Sequence, residues 1–321
     1  MEEGKRVLFM GTSEFGVPSL KALIEKPFDL IGVVTQPDRP SGRGKRLTPP
    51  PIKVVAQEAN LPIYQPEQVR HRDFIRTLKA LNPSVIVVVA FGQILPKSIL
   101  NLPPCGCINV HPSLLPKYRG AAPIQWALIN GETETGITLM LLDEGEDTGD
   151  IIQQAHVKIA PEDTAATLTD RMATLAPSLL LQVLEHTPTD APPPHTPQNH
   201  AEATHAPRLT KETGQIDWRK SAIQIRNLVR GTTIWPGAYT FLADNLRLKI
   251  IECSVVNIQE PEHQSPGTIH ITTDKALIVF TAEGALRLDR LQPANKQPMA
   301  AHDFINGYRL KTDDRFLTEV C

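Results

Sequence analysis

Short apolar runs and helical patterns alternate through the first half of the chain. Apolar runs at 6–10, 30–34 and 85–89 predict strands, while apolar residues at helical spacing follow the first run and recur from Pro51 onward. The run at 85–89 contains only Val and Ile without polar alternation, which indicates a central parallel strand buried on both faces. This order of elements predicts a doubly wound α/β domain, whose ligands bind beyond the carboxyl ends of the strands.

The pattern changes after residue 133 and becomes β-rich after residue 208. Strands are predicted over 136–142 and 150–159, followed by a long helix over 164–186 with an apolar face. Further strands are predicted near the C-terminus, at 246–250, 268–271, 276–280 and 285–291. They predict a second domain that is a small β-barrel.

A proline-rich stretch separates the two halves. Residues 187–207 contain six prolines and few apolar residues, which is typical of an interdomain linker. We therefore predict a first domain over 1–186 and a second over 208–321, joined by an exposed segment that proteases cut. Four of the ten histidines lie in or beside this segment, and their loose spacing favours a solvated linker over a metal-binding tract.

Composition narrows the class of protein. Hydrophobic residues make up 41% and charged residues 21% of the chain, so it can form ordinary buried cores and is not a disordered polyelectrolyte. The formal net charge is -2, so any nucleic acid must bind a local basic patch. The acidic first residues are unlike a signal peptide, and the apolar run Val85–Phe91 is far shorter than the roughly 20 residues that cross a bilayer. We expect a soluble, cytoplasmic monomer.

The cysteines predict neither disulfides nor a metal site. Four cysteines, at 105, 107, 253 and 321, do not make a disulfide framework in a chain of this length. Cys105 and Cys107 are separated by one residue, whereas the cysteine pairs of a zinc ribbon are separated by two. We expect idle thiols and no metal.

Familiar phosphate-binding and hydrolase motifs are missing. Gly11 and Gly16 have the spacing of the outer P-loop glycines, but Val17 stands where the P-loop needs lysine, and the middle glycine of the dinucleotide fingerprint is absent. A tight turn from strand to helix and a ligand-facing turn both remain open here. The sequence has no Gly-x-Ser-x-Gly and no His-Glu-x-x-His, so the common hydrolase and zinc-protease classes are unsupported.

The strongest chemical pattern lies near residue 110. Asn109 and His111 alternate at a predicted strand end, so their side chains point to the same side. An amide donor beside an imidazole can stabilise a developing oxyanion and move a proton, and the acidic turn at 142–150 could supply a carboxylate that orients His111. From the residues alone, a structural histidine and a solvated acidic turn remain open.

Two blocks resemble the folate-dependent formyltransferase superfamily: Asn109-x-His111-Pro-Ser-Leu-Leu-Pro116 and the loop Asp143-Glu-Gly-x-Asp147-Thr-Gly. Further stretches narrow the resemblance to the methionyl-tRNA formyltransferase family over nearly the whole chain. They lie at 9–15, 35–47, 88–96, 118–124, 209–212, 216–218, 235–237 and 291–299. The chain departs from the family at Arg230–Ile234, where Ala-Phe-Asn-Pro is usual, and in the proline-rich linker.

The resemblance implies a Rossmann-like catalytic domain and a C-terminal OB-like β-barrel that binds tRNA. It implies transfer of a formyl group from 10-formyltetrahydrofolate to the α-amino group of methionyl initiator tRNA, without a metal. Asn109, His111 and Asp147 match the family's catalytic residues. The folate would contact a second group of positions: Gln93, Ile94, Leu95, Ser113, Leu114, Leu115 and Pro116.

A basic loop at 36–47 follows the second predicted strand. It includes Arg39, Arg43, Lys45 and Arg46, with glycines between them. From composition alone such a loop is most often solvated. The resemblance implies instead an arm that contacts the tRNA acceptor stem, at the sheet edge where ligands bind.

Other functions remain open at this point. Glycinamide ribonucleotide formyltransferase shares the catalytic trio but resembles only the front two-thirds of the chain. A hydrolase of the same superfamily would use water as the acceptor and would not need the basic loop. A catalytically idle RNA-binding protein would not need Asn109, His111 and Asp147.

Overall fold

The computed structural model describes residues 5–41, 44, 46–242, 246–258 and 264–318. The chain forms two compact units, each assembled from separate segments of the sequence. Unit 1 consists of Met1–Pro123, Glu134–Lys158 and Thr169–Ala206. Unit 2 consists of Ile124–Thr133, Ile159–Leu168 and Pro207–Cys321. None of the described helices is long and apolar enough to span a membrane.

The described strands of unit 1 form one large sheet and one hairpin. They are β1 (Arg6–Gly11), β2 (Asp29–Val34), β3 (Arg39–Ser41), β4 (Arg46–Thr48), β5 (Ile63–Tyr64), β6 (Val85–Val89), β7 (Cys107–His111), β8 (Glu134–Leu141) and β9 (Ile151–Lys158). β3 and β4 form the hairpin, and the other strands form a sheet in the order β5-β2-β1-β6-β7-β8-β9. The strands from β5 to β7 in this order are parallel, while β8 and β9 are antiparallel additions at one edge. The predicted doubly wound α/β fold is confirmed.

Helices alternate with these strands along the chain. They are α1 (Val17–Ile24), α2 (Pro51–Glu58), α3 (Arg72–Leu81), α4 (Lys97–Leu100), α5 (Pro123–Ile129) and α6 (Ala165–His186). α3 buries Phe74 and Leu78, which are one helical turn apart, and ends where Asn82 takes a left-handed φ of 44°. β6 is buried at every position between β1 and β7, as its apolar sequence predicts.

The proline-rich stretch is part of unit 1. The backbones of Thr196 and Ile151 bond to each other in both directions at 2.8 Å. The backbone of Arg119 bonds to Thr204 at 2.9 Å and to Ala206 at 2.7 Å. Most side chains of the stretch are exposed, but its backbone pairs with other segments of unit 1. Prolines prevent this segment from forming a regular helix or strand. Its other backbone N–H and C=O groups can still form hydrogen bonds with nearby segments of the same polypeptide.

Limited proteolysis is expected to cut between residues 188 and 192, whose side chains are exposed, without releasing two separate pieces. Residues 196–206 belong to unit 1, and residues 124–133 and 159–168 of unit 2 lie upstream of the cut. The nicked protein should elute as one species in gel filtration and run as two bands on a denaturing gel. Separation of the fragments without denaturant would instead favour a free linker.

Unit 2 is built around a curled antiparallel sheet. Its elements after residue 207 are α7 (Ala222–Gly231), β10 (Tyr239–Leu242), β11 (Leu246–Val256), β12 (Ile269–Ile271), β13 (Leu277–Phe280), β14 (Ala285–Pro293), β15 (Met299–Ala300) and α8 (Ala301–Tyr308). The strand order is β10-β11-β14-β13-β12, with β15 added to β14. The backbone of Leu317 bonds to Phe241 in β10, and that of Asp314 bonds to Ile269 in β12, so one segment connects both edges. This half-barrel agrees with the predicted OB-like domain.

The core of unit 2 is centred on Trp218. This side chain is 2% exposed, its ring stacks on Phe316 with centroids 5.9 Å apart, and its Nε1 donates to Oγ1 of Thr240 at 2.9 Å. α7, which the β-rich pattern does not predict, begins with a capping box between Ser221 and Gln224. That spacing is the signal in the sequence that could have indicated the helix.

Candidate active site

Asn109 and His111 lie on β7, at the carboxyl edge of the parallel strands. β7 is parallel to β6 and antiparallel to β8, and alternate residues of a strand share a face of the sheet. Asn109 is partly buried, and His111 is 4% exposed. The strand therefore presents the amide and the imidazole on the same side.

The imidazole of His111 is held between two oxygen acceptors. Its Nε2 lies 2.9 Å from the backbone oxygen of Tyr118, and its Nδ1 lies 3.5 Å from Oδ2 of Asp147. A neutral ring carries one N–H and can donate to only one of these oxygens, whereas the imidazolium can donate to both. Both nitrogens of the ring therefore face an oxygen of the protein.

Asp147 lies in the acidic turn between β8 and β9. Its Oδ2 accepts a hydrogen bond from the backbone N–H of Gly120 at 2.8 Å, and its side chain is 15% exposed. The carboxylate therefore faces both the amide of Gly120 and the ring of His111. The turn directs this carboxylate towards the histidine, while other carboxylates of the turn, such as Glu144, are exposed.

Non-glycine residues with a left-handed backbone lie around this centre. Ala90 has a φ of 46°, Tyr118 one of 60° and Asp147 one of 54°. Such a conformation costs on the order of 1 kcal/mol or more for a residue with a Cβ, and it is concentrated at functional sites. Ala90 and Tyr118 carry no signal for it in the sequence, because neither residue type favours a positive φ.

The loops after the parallel strands are bonded to one another at this edge. Oγ1 of Thr12, after β1, donates to the backbone oxygen of Phe91 at 2.8 Å, and Nε2 of Gln36, after β2, donates to the same oxygen at 3.3 Å. Nζ of Lys97, at the start of α4, lies 2.7 Å from Oε1 of Glu144 in the acidic turn. A doubly wound sheet binds its ligands at this edge.

Gly11 has a packing role at the start of the turn after β1. A Cβ at this position would lie 2.6 Å from Cε1 of Phe9 and 3.0 Å from the backbone oxygen of Val89. The close approach of β1 to β6 therefore requires glycine. Gly11 thus has a structural reason that is independent of any phosphate.

Comparison with known proteins identifies the family. A family profile described as formyl transferase matches residues 5–184, and one described as formyl transferase, C-terminal domain, matches residues 208–309. The chain is 47% identical over 308 residues to the methionyl-tRNA formyltransferase of Geobacter metallireducens. The aligned residues cover 96% of this chain and 97% of that protein. It is 49% identical over 306 residues to the methionyl-tRNA formyltransferase of Thermodesulfovibrio yellowstonii, with coverage of 95% and 96%. The chain belongs to the methionyl-tRNA formyltransferase family.

A solved formyltransferase structure has the same fold. The sugar 3N-formyl transferase WlaRD, crystallised with dTDP and 5-N-formyl-THF, superposes with a TM-score of 0.66 at 21% identity. The match covers 92% of this chain and 100% of that chain. This likeness extends the fold assignment through both units of the formyltransferase.

Three of the positions predicted to contact folate in this formyltransferase follow β6. Ile94 is 86% exposed, and an exposed apolar side chain at a ligand-binding edge fits a flat heterocycle. Oε1 of Gln93 accepts a hydrogen bond from the backbone of Val69 at 2.9 Å. Leu95 is 6% exposed and packs in the core of unit 1, so it can reach a ligand through its backbone but not its side chain.

The remaining predicted folate positions lie in the segment 113–116, which is fixed by Thr138 of β8. Oγ1 of Thr138 donates to the backbone oxygen of Ser113 at 2.6 Å and accepts from the backbone N–H of Leu115 at 3.1 Å. Ser113 and Leu115 are buried, whereas Leu114 is partly exposed. Pro116 is also partly exposed. The segment is therefore held in place by the protein itself, and its contact with folate stays a prediction.

Gly136→Ala is expected to displace this segment and weaken binding of the formyl donor. A Cβ at Gly136 would lie 2.4 Å from Cδ2 of Leu114 and 2.3 Å from the backbone oxygen of Ala155. Overpacking of this kind costs about 1–3 kcal/mol of stability, because a strand backbone must move. Thermal unfolding and the KM for the donor measure both effects.

Gly307→Ala is the matched control for that change, since a Cβ at Gly307 meets no atom within 4 Å. It lies in α8, where alanine is the better helix former, so the control should retain or gain stability. Equal melting temperatures and equal donor KM for the two variants would contradict the packing argument at Gly136.

The basic loop forms the hairpin of β3 and β4. Arg39 pairs with Thr48 and Ser41 pairs with Arg46, so Arg39 and Arg46 lie on the same face. Both arginines are exposed. The other two positions predicted to bind tRNA lie outside the described residues: Arg43 and Lys45.

Asp38 anchors the start of this hairpin. Nζ of Lys53 lies 2.8 Å from both of its carboxylate oxygens, and Nε2 of Gln65 donates to Oδ1 at 2.8 Å and to the backbone oxygen of Gln36 at 2.9 Å. The hydrogen bonds from Gln65 and then from Lys53 lower the pKa of Asp38. The arm therefore begins from an ionised, hydrogen-bonded carboxylate near the ligand-binding edge.

The thiols of β7 and the turn before it are unreactive in their surroundings. Burial raises the pKa of Cys107 to about 12 and also raises the pKa of Cys105, so both thiols are protonated at neutral pH. Over the part of the chain that the structure describes, no group of three or more His, Cys, Asp or Glu is arranged to hold a metal ion.

Proposed function

We propose that the chain transfers the formyl group of 10-formyltetrahydrofolate to the α-amino group of methionine esterified to initiator tRNA. Family membership supports this proposal through relatives of the same name and nearly the same length. The observation that carries it is the position of His111, whose Nδ1 is 3.5 Å from the carboxylate of Asp147 and whose strand also carries Asn109.

The proposed reaction needs one oxyanion donor, one proton donor and one group that helps the amine lose its proton. An α-amine has a reference pKa of about 8, so a useful fraction is neutral at physiological pH. The amine attacks the formyl carbon, the bond from that carbon to the folate nitrogen breaks, and one proton moves from the amine to that nitrogen. The net change is balanced without any other reactant.

Three side chains carry these tasks. Asn109 donates a hydrogen bond to the formyl oxygen while negative charge develops there. His111 adds a charged donor and gives a proton to the departing nitrogen. Asp147 pairs with His111 and, directly or through water, helps the amine lose its proton. All three lie in unit 1.

The substrates are proposed to meet at the carboxyl edge of the sheet. The folate would lie along the segment 113–116 and the exposed side chain of Ile94. The hairpin with Arg39 and Arg46 would contact the acceptor stem, and the half-barrel of residues 208–321 would hold more of the tRNA. An exposed Trp235 (47% of its surface) supports the last assignment, since aromatic rings stack on bases. We propose that the enzyme acts as a cytoplasmic monomer.

A single assay tests the proposal. Purified protein is mixed with 10-formyltetrahydrofolate and initiator tRNA that is either charged with methionine or uncharged, and the amino acid is released and separated by chromatography. Formylmethionine should appear only with charged tRNA and only when the donor is present.

The same assay distinguishes the other functions. Formylation of glycinamide ribonucleotide in place of the tRNA would indicate the small-molecule formyltransferase. Loss of formyl from the donor without any acceptor would indicate the hydrolase. Binding of tRNA without consumption of the donor would indicate an idle RNA-binding protein.

A further inference from the structure

We propose that Gln198 is a positioning residue for Asp147, so that the proline-rich segment forms part of the active site. This inference rests on the proposed function. Gln198 is far from the acidic turn in the sequence and belongs to the stretch that composition marks as a linker. It is nevertheless 5% exposed, whereas its neighbours Pro197 and Asn199 are exposed.

The carboxamide of Gln198 is bonded at both ends. Its Nε2 donates to the backbone oxygen of Asp147 at 2.9 Å and to that of Gly149 at 2.7 Å. Its Oε1 accepts from Nε of Arg119 at 3.1 Å and from Nη2 of the same residue at 2.7 Å. A primary amide has two N–H groups and one oxygen, so every polar atom is engaged and the orientation of the group is fixed.

Arg119 connects this amide back to the catalytic carboxylate. The guanidinium is buried, and its Nη2 also lies 3.0 Å from Nδ1 of His200. The next residue along the chain is Gly120, whose N–H donates to Oδ2 of Asp147 at 2.8 Å. Gln198 therefore holds the backbone of Asp147, while the residue after Arg119 holds its side chain.

Asp147 needs such support because of its backbone conformation. Its φ of 54° is one that a residue with a Cβ retains only where the surroundings enforce it. Loss of the two hydrogen bonds from Gln198 would let the turn relax and move the carboxylate away from His111. A misplacement of about 1 Å in a catalytic group can lower the rate about 100-fold.

Gln198→Glu separates positioning from folding. Glutamate keeps an oxygen acceptor for Arg119, but it has no N–H to offer to the backbone of Asp147 or Gly149. We expect kcat to fall about 10- to 100-fold, with the KM for donor and tRNA within about threefold, because the change acts on the transition state. An unchanged kcat in a folded variant would overturn the inference.

A double-mutant cycle shows whether the effect passes through Asp147. Once Asp147→Asn has removed the charge, a further Gln198→Glu change should lower kcat by less than about threefold, because the group that it positions is already disabled. If the two losses multiply instead, Gln198 has only a general structural role and the inference is wrong. Gln182→Glu is the matched control, since Gln182 is exposed and its side-chain oxygen accepts a hydrogen bond from Gln153, away from Asp147.

Hydrogen exchange provides a readout that does not depend on activity. The amide of Gly120, which bonds to Asp147, should exchange at least tenfold faster in Gln198→Glu than in the wild type. If Gln198→Glu does not fold, Gln198→Ala is subjected to the same measurements. If the wild type forms no formylmethionine but Gly120 exchanges faster in Gln198→Glu, the proposed function is rejected. The hydrogen bonds by which Gln198 holds the backbone of Asp147 are supported by the same result. Unchanged exchange in a folded variant would reject the positioning role.

Discussion

Replacement of Asn109 or His111 by alanine is expected to abolish most turnover and to leave donor binding within about tenfold, because both groups act mainly on the transition state. Loss of one oxyanion donor typically lowers the rate by about 10²–10³, and loss of a general acid by about 10²–10⁴. Steady-state formylation gives kcat, and calorimetric titration with the folate gives the dissociation constant. Near-wild-type kcat in either variant would show that the assigned roles are wrong.

Asp147→Asn should cause a comparable loss. Asparagine keeps an oxygen that can accept the N–H of Gly120, but it removes the negative charge that faces Nδ1 of His111. The change should therefore appear in kcat, and an effect confined to KM would contradict the pairing. His156→Ala is a suitable control, since that exposed histidine also faces a carboxylate, Glu134, at 3.2 Å.

Arg43→Ala is expected to weaken the use of initiator tRNA severely while hardly changing affinity for the folate. The prediction comes from the family resemblance of the basic loop, and Arg43 itself lies outside the described residues. The logarithm of the tRNA binding constant falls linearly with the logarithm of the salt concentration, and the slope is proportional to the number of phosphate contacts. Loss of one phosphate contact should therefore reduce this slope by the share of about one contact. Filter binding across a salt series measures this slope.

Arg46→Ala and Lys79→Ala complete the test of the arm. Arg46 lies on the hairpin and should behave like Arg43, whereas Lys79 is an exposed cation of α3 and should leave the slope unchanged. Equal losses of affinity for tRNA and for folate would contradict a loop that contacts the tRNA. An unchanged salt slope in both arginine variants would contradict it as well and would favour a loop that is only solvated.

The fold could be predicted wherever the pattern is local and repeated. The apolar run at 85–89 became β6 with the same bounds, and the helical pattern over 164–186 became α6. The short α7 and α8 were not predicted, because each is embedded in a β-rich stretch. The packing of residues 196–206 could not be predicted either, since composition describes local flexibility and not the presence of a partner strand.

The residues of the candidate site can likewise be divided into those that the local sequence predicts and those that depend on distant contacts. Asn109 and His111 could be paired from the period of a strand alone. The choice of Asp147 among the carboxylates of the acidic turn came from resemblance, because distance along the chain does not reveal which of them faces the ring. Gln198 and the left-handed conformation of Tyr118 depend on contacts between distant segments, for which a single sequence carries no signal.

The segmented units delay completion of the active site during protein synthesis. β7 is made early, yet the buried contacts of Gln198 and Arg119 wait for a much later part of the chain. The contacts of Trp126 with Pro207 and of Ile129 with Gly231 form even later, because Pro207 and Gly231 are synthesised after Gln198. A nascent chain that stalls before residue 207 therefore exposes apolar side chains of the second unit that have no partners yet. Such a chain is expected to bind chaperones or to aggregate, and not to remain in solution as a separate catalytic domain.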